Sequence, residues 1–382
     1  MRVVVAGGGT GGHVYSAVSV ARKVLETYPD SKVLFLGSMG GPEGKIAERA
    51  GLDFAGIDVR ALSKNPKKLL VSLFLFPNAF IKARRTISNF QADCVFGTGG
   101  YASAPACFSA ASLGIPLILH EMNFIPGIVT KYLARKAYAV TVAFDGTREY
   151  LNKKSKIIKT GVPVREEIEE LKDPSIKQER KMEAVFSLGI EDKKTLLVFG
   201  GSQGAEALNR AIWEVAKTYP ESSGEKFQIV HITGRGYDDF MVNRAKEEFS
   251  SKGISYFAFP YIERMDLAYS CADLCLCRAG AGTIAELAAV GIPAVIVPYP
   301  HARNKHQEYN AKAFSESGAA IVVRQDDGLA MKALLTAVEI IRNNDMLENM
   351  RKVAEKLRVE SSAWSIARII GETYERRVHQ EE

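Results

Sequence analysis

This chain of 382 residues has few cysteines and no long apolar run, and its N-terminus does not resemble a secretory signal. No stretch reaches the ~18 consecutive apolar residues of a membrane-spanning helix. Met1 leads at once into Val3-Val4-Val5 and glycines, without the long apolar core of a secretory signal. The five cysteines are few and odd in number, which favours reduced thiols over a disulfide framework. We therefore expect a cytosolic protein without a spanning segment.

Acidic residues are missing from one segment. Between Val59 and Ala92 seven lysines and arginines occur without any Asp or Glu. This segment therefore carries a charge of +7, and the rest of the chain sums to −1, which gives the total net charge of +6. Such a patch suits nucleic acid, but the intervening Leu, Ile and Phe side chains do not resemble a base-stacking surface, and we expect no nucleic-acid partner. They suggest an element lying on a bilayer, with its cations over anionic headgroups. A buried segment with basic ends is the open alternative. The expected membrane residues are Lys67, Lys68, Leu70, Phe74, Phe76, Phe80, Arg84 and Arg85.

The chain is long enough for two domains at ~150 residues each. Apolar strand-like runs alternate with helical patterns, which indicates parallel sheets covered on both faces. The unit of strand, glycine turn and helix at Val3–Ala6 recurs at Leu196–Phe199. We therefore predict an α/β fold of two doubly wound, Rossmann-like domains facing each other across a cleft. The predicted boundaries are residues 1–163 for the first domain, 164–194 for a charged linker, 195–362 for the second domain, and 363–382 for a helix that packs back on the first.

The first glycine turn, residues 7–12, matches the dinucleotide fingerprint. A nicotinamide site also needs an acid at the end of the second strand, about 20 residues further on. That strand ends Phe35-Leu36-Gly37-Ser38, without a carboxylate. The turn therefore predicts a close backbone approach to another oxygen-rich ligand, with His13 at the start of the next helix.

The second turn, residues 200–204, also matches the G-x-S-x-G elbow of serine hydrolases. His301 or His306 could complete a triad, so this alternative stays open. Because the turn duplicates the N-terminal one, we favour a loop that faces phosphate or sugar. Ser202 is then a hydrogen-bond donor rather than a nucleophile.

A third small-residue segment, Arg278 to Glu286, follows a predicted strand and opens a helix. Free N–H groups and the positive end of a helix dipole bind phosphate, so a nucleotide diphosphate fits here. Thr283 and Glu286 have the spacing of a capping box. Glu286 is therefore either a helix-start carboxylate or an acceptor for two ribose hydroxyls, and spacing alone does not decide.

Metal-binding patterns are lacking. No D-x-D occurs, and no His or Cys cluster has zinc spacing, so we expect a site without metal or cofactor. Three further polar clusters, at residues 99–101, 120–123 and 301–310, follow predicted strands. Open α/β sheets bind ligands at the carboxyl ends of their strands.

Together these residues resemble the MurG family, the N-acetylglucosaminyltransferases that complete the lipid-linked disaccharide of bacterial peptidoglycan. The resemblance covers nearly the whole chain, and it is specific because many short motifs occur in the family's order. They are Gly8-Gly9-Thr10-Gly11-Gly12-His13, Gly99-Gly100-Tyr101, His120-Glu121-Met122-Asn123, Pro126-Gly127, Gly161 to Arg165, Gly200 to Ala205, Arg278 to Glu286, and His306-Gln307 with Asn310.

The resemblance implies GT-B architecture and an inverting reaction in peptidoglycan synthesis. GlcNAc would pass from UDP-GlcNAc to the C4 hydroxyl of MurNAc in undecaprenyl-pyrophosphoryl-MurNAc-pentapeptide, which converts lipid I to lipid II. The protein would work peripherally on the cytoplasmic face of the cell membrane, against anionic lipids. Two rivals share these features: a UDP-sugar epimerase, and a non-catalytic UDP-sugar-binding subunit that recruits a partner to the membrane.

Site roles follow from the resemblance by matching position. The residues on the acceptor and GlcNAc side would be Thr10, Gly11, Gly12 and Asn123, and those near the diphosphate and sugar would be Arg165 and Ser202. The backbone of Ile262 would contact uracil, and Gln307 would hold the transferred sugar. The diphosphate and ribose would be bound by Ala281, Gly282, Thr283, Ile284, Ala285 and Glu286. Tyr101, His120, Glu121 and Asn310 complete the expected substrate-binding set. Three features depart from a fixed family pattern: Ser16 replaces a frequent proline, Met122 replaces a usual glutamine, and the segment between His301 and Asn310 varies in length within the family.

An inverting transfer needs one general base on the acceptor side. His13 is our candidate, because imidazole titrates near neutrality and the glycine turn points it towards the ligand. Glu121 and a water relay are the competitors.

Overall fold

The computed structural model describes residues 1–60, 66–201, 204–220, 227–325, 329–358 and 360–381, with the side chains of 66–71, 73, 329, 380 and 381 left out. The chain forms two compact units. The first consists of Met1–Arg165 and Glu360–Glu382, and the second of Glu166–Val359.

The first unit is built on a parallel sheet. Its seven strands have the order β3-β2-β1-β4-β5-β6-β7. The strand bounds are β1 Arg2–Ala6, β2 Lys32–Ser38, β3 Asp53–Ile57, β4 Cys94–Gly97, β5 Leu117–Glu121, β6 Ala139–Val142 and β7 Ile157–Lys159.

Helices cover both faces of this sheet. The side chains of β1 point alternately to the two faces, and each set is buried in a core of its own. Val3 and Val5 pack into one core and Val4 and Ala6 into the other. The helix bounds are α1 Gly11–Thr27, α2 Glu43–Arg49, α3 Pro66–Phe90, α4 Gly100–Leu113, α5 Ile128–Leu133 and, from the end of the chain, α15 Ser362–Glu381, with a 3₁₀ helix at Asp145–Tyr150.

The second unit repeats the plan with six parallel strands in the order β10-β9-β8-β11-β12-β13. Its strands are β8 Lys194–Phe199, β9 Phe227–Ile232, β10 Ser255–Phe259, β11 Leu274–Cys277, β12 Ala294–Ile296 and β13 Ala320–Val322. Its helices are α6 Glu166–Glu169, α7 Pro174–Leu188, α8 Glu206–Thr218, α9 Asp239–Ser251, α10 Met265–Cys271, α11 Ala281–Val290, α12 His306–Ser315, α13 Leu329–Arg342 and α14 Asn344–Glu355, with 3₁₀ helices at Glu170–Lys172 and Arg303–Lys305.

Two doubly wound α/β domains are therefore confirmed. In each sheet the strand order reverses beside the first strand of the unit, between β1 and β4 and between β8 and β11. Ligands of open α/β sheets bind at the carboxyl ends of the strands at such a reversal. The glycine turns after β1 and β8 and the small-residue segment after β11 lie at these points.

The segment 164–194, for which we predicted a linker, is largely helical. Helices α6 and α7 lie there and group with the second unit. Ile168, Leu171 and Ala184 are buried, while the many charged residues between them lie on the outer face. The charge run thus marks the exposed side of helices.

Across the described parts of the chain, every helix is too short or too polar to span a bilayer.

Candidate functional site

The first glycine turn shapes the start of α1. Gly9 has φ +88°, and a Cβ there would stand 2.7 Å from the Tyr101 ring, so both backbone conformation and space call for glycine. Thr10 is the N-cap of α1, but its hydroxyl makes no capping bond. Thr10 Oγ1 instead lies 2.7 Å from His13 Nδ1. The turn therefore orients an imidazole.

The other side of the His13 ring faces the end of β4. Thr98 Oγ1 donates to the carbonyl of His13 at 3.0 Å. A Cβ on Gly99 would stand 3.6 Å from His13 Nε2, an ordinary contact distance, so it is the φ of +83° at Gly99 that favours glycine here. His13 is thus held between the two strands that flank the reversal in the sheet.

Glu43 is a residue that the sequence reasoning missed. It is the first residue of α2 and is fully buried. Glu43 Oε1 accepts the N–H of Gly9 at 2.9 Å, while Oε2 is buried without a hydrogen-bond partner. A Cβ on Gly8 or Gly41 would overlap this carboxyl group. The sequence signal for this buried role was a glutamate with glycines close to it. It was overlooked because an acidic residue at the start of a helix is common.

We expect Glu43→Ala to lower the free energy of unfolding by about 1–3 kcal/mol, because it leaves the Gly9 N–H without its acceptor. It should also raise KM for the ligand that this turn faces, since the hydrogen bond that fixes the turn is lost. Glu43→Gln keeps a carbonyl for Gly9 and should recover part of both losses. Urea unfolding and initial rates measure these effects, with Glu48→Ala, an exposed change on the same helix, as the control. Equal stability and KM in Glu43→Ala and Glu48→Ala would contradict this role.

His120 and Glu121 were expected to contact substrate, but the structure buries both. His120 Nδ1 bonds Thr141 Oγ1 at 2.9 Å, and Thr141 Oγ1 in turn donates to the Leu119 carbonyl. His120 therefore carries its proton on Nδ1. Burial, assisted by the nearby His13, lowers the pKa of His120 to about 3.

The Glu121 carboxylate is already saturated by donors from its own loop. It accepts hydrogen bonds from the backbone N–H groups of Asn123 and Gly127, from the Asn123 amide and from the Thr130 hydroxyl, at 2.8–3.4 Å. Burial raises the pKa of Glu121, and these bonds oppose the shift. Glu121 is an anchor for the loop that carries Asn123, which removes the geometric support for it as a competing base.

Arg165 belongs to the first unit. Its guanidinium lies over the Tyr15 ring, 4.7 Å from the centroid. The neighbouring Ser16 donates to the Pro163 carbonyl at 2.9 Å in a buried bond, which proline at position 16 could not make. Two adjacent α1 residues thus fix the segment that presents Arg165.

The glycine turn after β8 is equally tight, although Ser202 lies outside the described residues. Gly201 has φ +112° and Gly204 φ +75°, and Gly204 donates to the Gly201 carbonyl at 2.9 Å. A Cβ on Gly204 would overlap the Thr233 carbonyl.

A buried polar chain fixes the neighbouring Thr233. Asn209 donates to the Thr233 carbonyl at 2.9 Å and its amide oxygen lies 3.0 Å from His231 Nε2, while His231 Nδ1 bonds the Tyr256 hydroxyl at 2.8 Å. Burial lowers the pKa of His231 to about 3, so this imidazole stays neutral.

Helix α11 bears on one of the two interpretations of Glu286. Its N-cap is Gly280, so Thr283 is the third helical residue and Glu286 lies in the second turn. The capping-box interpretation is therefore wrong. The first N–H with a partner inside the helix is that of Ile284, which bonds the Gly280 carbonyl at 3.0 Å. The N–H groups of residues 281–283 precede it at the positive end of the helix dipole.

Several predicted residues shape the segments around α11. Arg278 is buried and donates to the carbonyls of Val297 and Pro298, and burial lowers its pKa. Asn310, expected at the substrate, is fully buried and its amide lies 3.4 Å from the Ala279 carbonyl. It supports the loop before α11. Gln307 is half-buried and accepts the N–H of Tyr299, and Ile262 is buried after β10.

Helix α3 carries the predicted basic and apolar surface. Phe74 is 81% exposed and Ile81 47%, and Arg84 and Arg85 are exposed beside them. Phe76 was expected on this surface, but it packs into the core with an edge contact to Phe108 at 6.0 Å. Phe80, expected there too, is half-buried, while the side chains of Lys67, Lys68 and Leu70 lie outside those described.

Comparison with known proteins matches two family models in the order of the two units. Residues 3–142 match the glycosyltransferase family 28 N-terminal domain, and residues 195–364 match the glycosyltransferase family 28 C-terminal domain. The chain is 37% identical to the UDP-N-acetylglucosamine–N-acetylmuramyl-(pentapeptide) pyrophosphoryl-undecaprenol N-acetylglucosamine transferase of Desulforamulus reducens, with 94% of each protein covered. It is 34% identical to the protein of that name from Moorella thermoacetica, covering 98% of this chain and 100% of the relative.

Solved structures agree at the level of the fold. MurG of Acinetobacter baumannii matches with a TM-score of 0.72 and 28% identity, covering 97% of this chain and 99% of that one. The UDP-GlcNAc 2-epimerase of Neisseria meningitidis matches with a TM-score of 0.64 over 98% of this chain and 100% of that one, at 16% identity. The second likeness concerns the fold alone, so sequence identity favours a transferase over an epimerase.

Proposed function

The chain belongs to the MurG family of family 28 glycosyltransferases, and on that basis we propose that it transfers GlcNAc from UDP-GlcNAc to the lipid-linked MurNAc-pentapeptide acceptor, converting lipid I to lipid II. The acceptor oxygen attacks the anomeric carbon of GlcNAc, the bond from that carbon to UDP breaks, and the configuration inverts. The hydroxyl proton passes to a base of the first unit.

The start of α11 is the observation that carries the donor half of the proposal. The N–H groups of residues 281–283 offer three donors in one direction, and the small side chains of Ala281 and Gly282 let a diphosphate approach them. Glu286 lies one turn further on, where its carboxylate can accept two ribose hydroxyls. As the bond to the sugar breaks, negative charge grows on the diphosphate, and these donors stabilise it without reorganising.

His13 is the base in this proposal. In the tautomer that carries its proton on Nδ1, His13 donates to Thr10 Oγ1, and the lone pair on Nε2 can take the proton of the acceptor hydroxyl. The neighbouring His120 stays neutral because of its burial, so it adds no positive charge that would oppose protonation of His13 during the reaction.

One assay separates this function from its rivals. The pure full-length protein is incubated with UDP-GlcNAc and a short-chain lipid I analogue. Transfer gives UDP and lipid II in equal amounts and requires the analogue. Epimerisation would change the sugar without the acceptor, and a binding subunit would change neither substrate. Either of these last results would refute the proposed function.

The exposed surface of α3 supports a membrane-bound acceptor. Phe74 and Ile81 are seven residues apart and therefore lie on one side of the helix, beside Arg84 and Arg85. Helix α5, which packs on the same core, exposes Ile128 and Tyr132 with basic neighbours. Apolar side chains with a rim of cations suit the surface of an anionic leaflet. We place this surface on the cytoplasmic face of the cell membrane.

Liposome sedimentation tests the surface. Binding should rise when phosphatidylglycerol is added to phosphatidylcholine vesicles. Phe74→Asp should weaken it by about 10–100-fold, because a Phe side chain leaves the interface. Phe186→Asp, the same change at a 92% exposed Phe of the second unit, is the control and should bind as the unmodified protein does. Equal sedimentation of both variants would exclude α3 as the docking element.

A further inference from the structure

Tyr269 lies between the elements that the donor is proposed to use. It belongs to α10, which begins three residues after Ile262, and its side chain is fully buried. Its hydroxyl donates to Glu286 Oε2 at 2.8 Å. Its ring makes an edge contact with Phe199, 5.9 Å between centroids, and Phe199 is the last residue before the second glycine turn.

The hydroxyl of Tyr269 is a permanent donor. Burial, and then the charge of Glu286, raise its pKa well above the ordinary value of 10. A hydrogen bond to an ionised carboxylate is worth about 1.5–3 kcal/mol, more than a bond between neutral groups. Glutamate has three rotatable side-chain bonds, so a fixed donor on one oxygen restricts the direction in which the carboxylate faces.

We propose that Tyr269 is a positioning residue that sets the Glu286 carboxylate for the two ribose hydroxyls of a uridine diphosphate. This inference deepens the proposed function and rests on it. Tyr269 does not touch the nucleotide. It acts through Glu286, whose Oε2 can accept one hydroxyl in addition to that of Tyr269 because a carboxylate oxygen has two lone pairs.

Removing the hydroxyl while keeping the ring isolates this effect. Tyr269→Phe preserves the contact with Phe199 and loses only the bond to Glu286. Calorimetry on the full-length protein measures the Kd of UDP, 2′-deoxy-UDP and 3′-deoxy-UDP. The unmodified protein should bind each deoxy analogue about tenfold more weakly than UDP, the worth of one bond to a charged acceptor. Tyr269→Phe should bind UDP about fivefold more weakly and discriminate against the analogues by only about twofold, because the Glu286 carboxylate loses the donor that directs it and gains less from either hydroxyl.

Two further variants make the outcome decisive. Tyr219→Phe removes another buried hydroxyl of the second unit, one that bonds Arg342, and should retain full discrimination. Glu286→Asp withdraws the carboxylate from Tyr269 and should lose discrimination as Tyr269→Phe does. Initial rates with UDP-GlcNAc should show KM raised and kcat within about twofold in Tyr269→Phe, since the bond is to a binding group rather than a reacting one.

Undiminished discrimination in Tyr269→Phe would overturn the inference and leave the proposed transfer intact. Equal binding of UDP and its deoxy analogues by the unmodified protein would overturn it as well, because no ribose contact would exist to position. Failure of the transferase function itself would appear separately, as absence of lipid II in the acceptor assay.

Discussion

Replacing His13 by alanine should lower kcat by about 10²–10⁴, the usual loss when a general base is removed. The acceptor hydroxyl is a weak nucleophile until its proton leaves, and His13, the proposed base, is held by Thr10 on one side and by the end of β4 on the other. KM for UDP-GlcNAc should stay close to that of the unmodified protein, because the donor is proposed to bind the second unit. UDP release at saturating donor and acceptor measures the loss.

Matched variants tell base loss from structural damage. His379→Ala changes an exposed histidine of α15 and should leave kcat unaltered. Thr10→Val removes the partner of Nδ1 and should reduce kcat about fivefold, the worth of one hydrogen bond, whereas Thr10→Ser should restore it. Near-normal kcat in His13→Ala would assign the base elsewhere.

Mild acid should destabilise both units, through one buried histidine in each. Burial lowers the pKa of His120 and of His231 to about 3, while an unfolded chain protonates histidine near its ordinary value of 6.5. Between these values the folded state binds fewer protons than the unfolded state. Stability is therefore full above about pH 6.5 and falls as the pH decreases towards 3. At about pH 5 the expected loss is about 2 kcal/mol for each histidine.

Denaturant unfolding at about pH 7.5 and about pH 5 tests this difference. His120→Asn and His231→Asn should each reduce the acid loss by about 2 kcal/mol, whatever the substitution costs at neutral pH. His379→Asn makes the same substitution at an exposed histidine of α15 and is the control. If removing the buried histidines left the acid loss undiminished, other groups would be responsible for it.

Most of the fold could be predicted because the central strands are continuous apolar runs. Val3-Val4-Val5 and Leu196-Leu197-Val198 are buried on both faces, and glycine turns follow both. The strands β3 and β7 were not predicted. Asp53–Ile57 contains Asp, Ala and Gly, which are poor strand formers, and it pairs only at the edge of the sheet. Ile157–Lys159 has three residues, too few for an alternating pattern to appear.

The site was predictable where it depends on backbone and much less where it depends on burial. Glycine turns and a helix start leave marks in the sequence, and the structure has them where they were expected. Glu121 and Asn310 fit the family pattern equally well, and nothing in the sequence indicated that their side chains are buried and bond to loops. Glu43 was overlooked because its only signal is the glycines beside it, and its role also depends on the space left by Gly8, which is distant in the chain.

The return of the last helix to the first unit has a consequence for synthesis. Helix α15 contributes Ile366 and Ile370 to the core that contains Val14 and Val18 of α1, and Gly371 gives room to the Tyr28 hydroxyl. A ribosome delivers these partners only after all of the second unit has emerged. Until then one face of the first sheet lacks part of its cover, so a fragment ending at Arg165 should aggregate, and adding residues 360–382 as a separate peptide should rescue it.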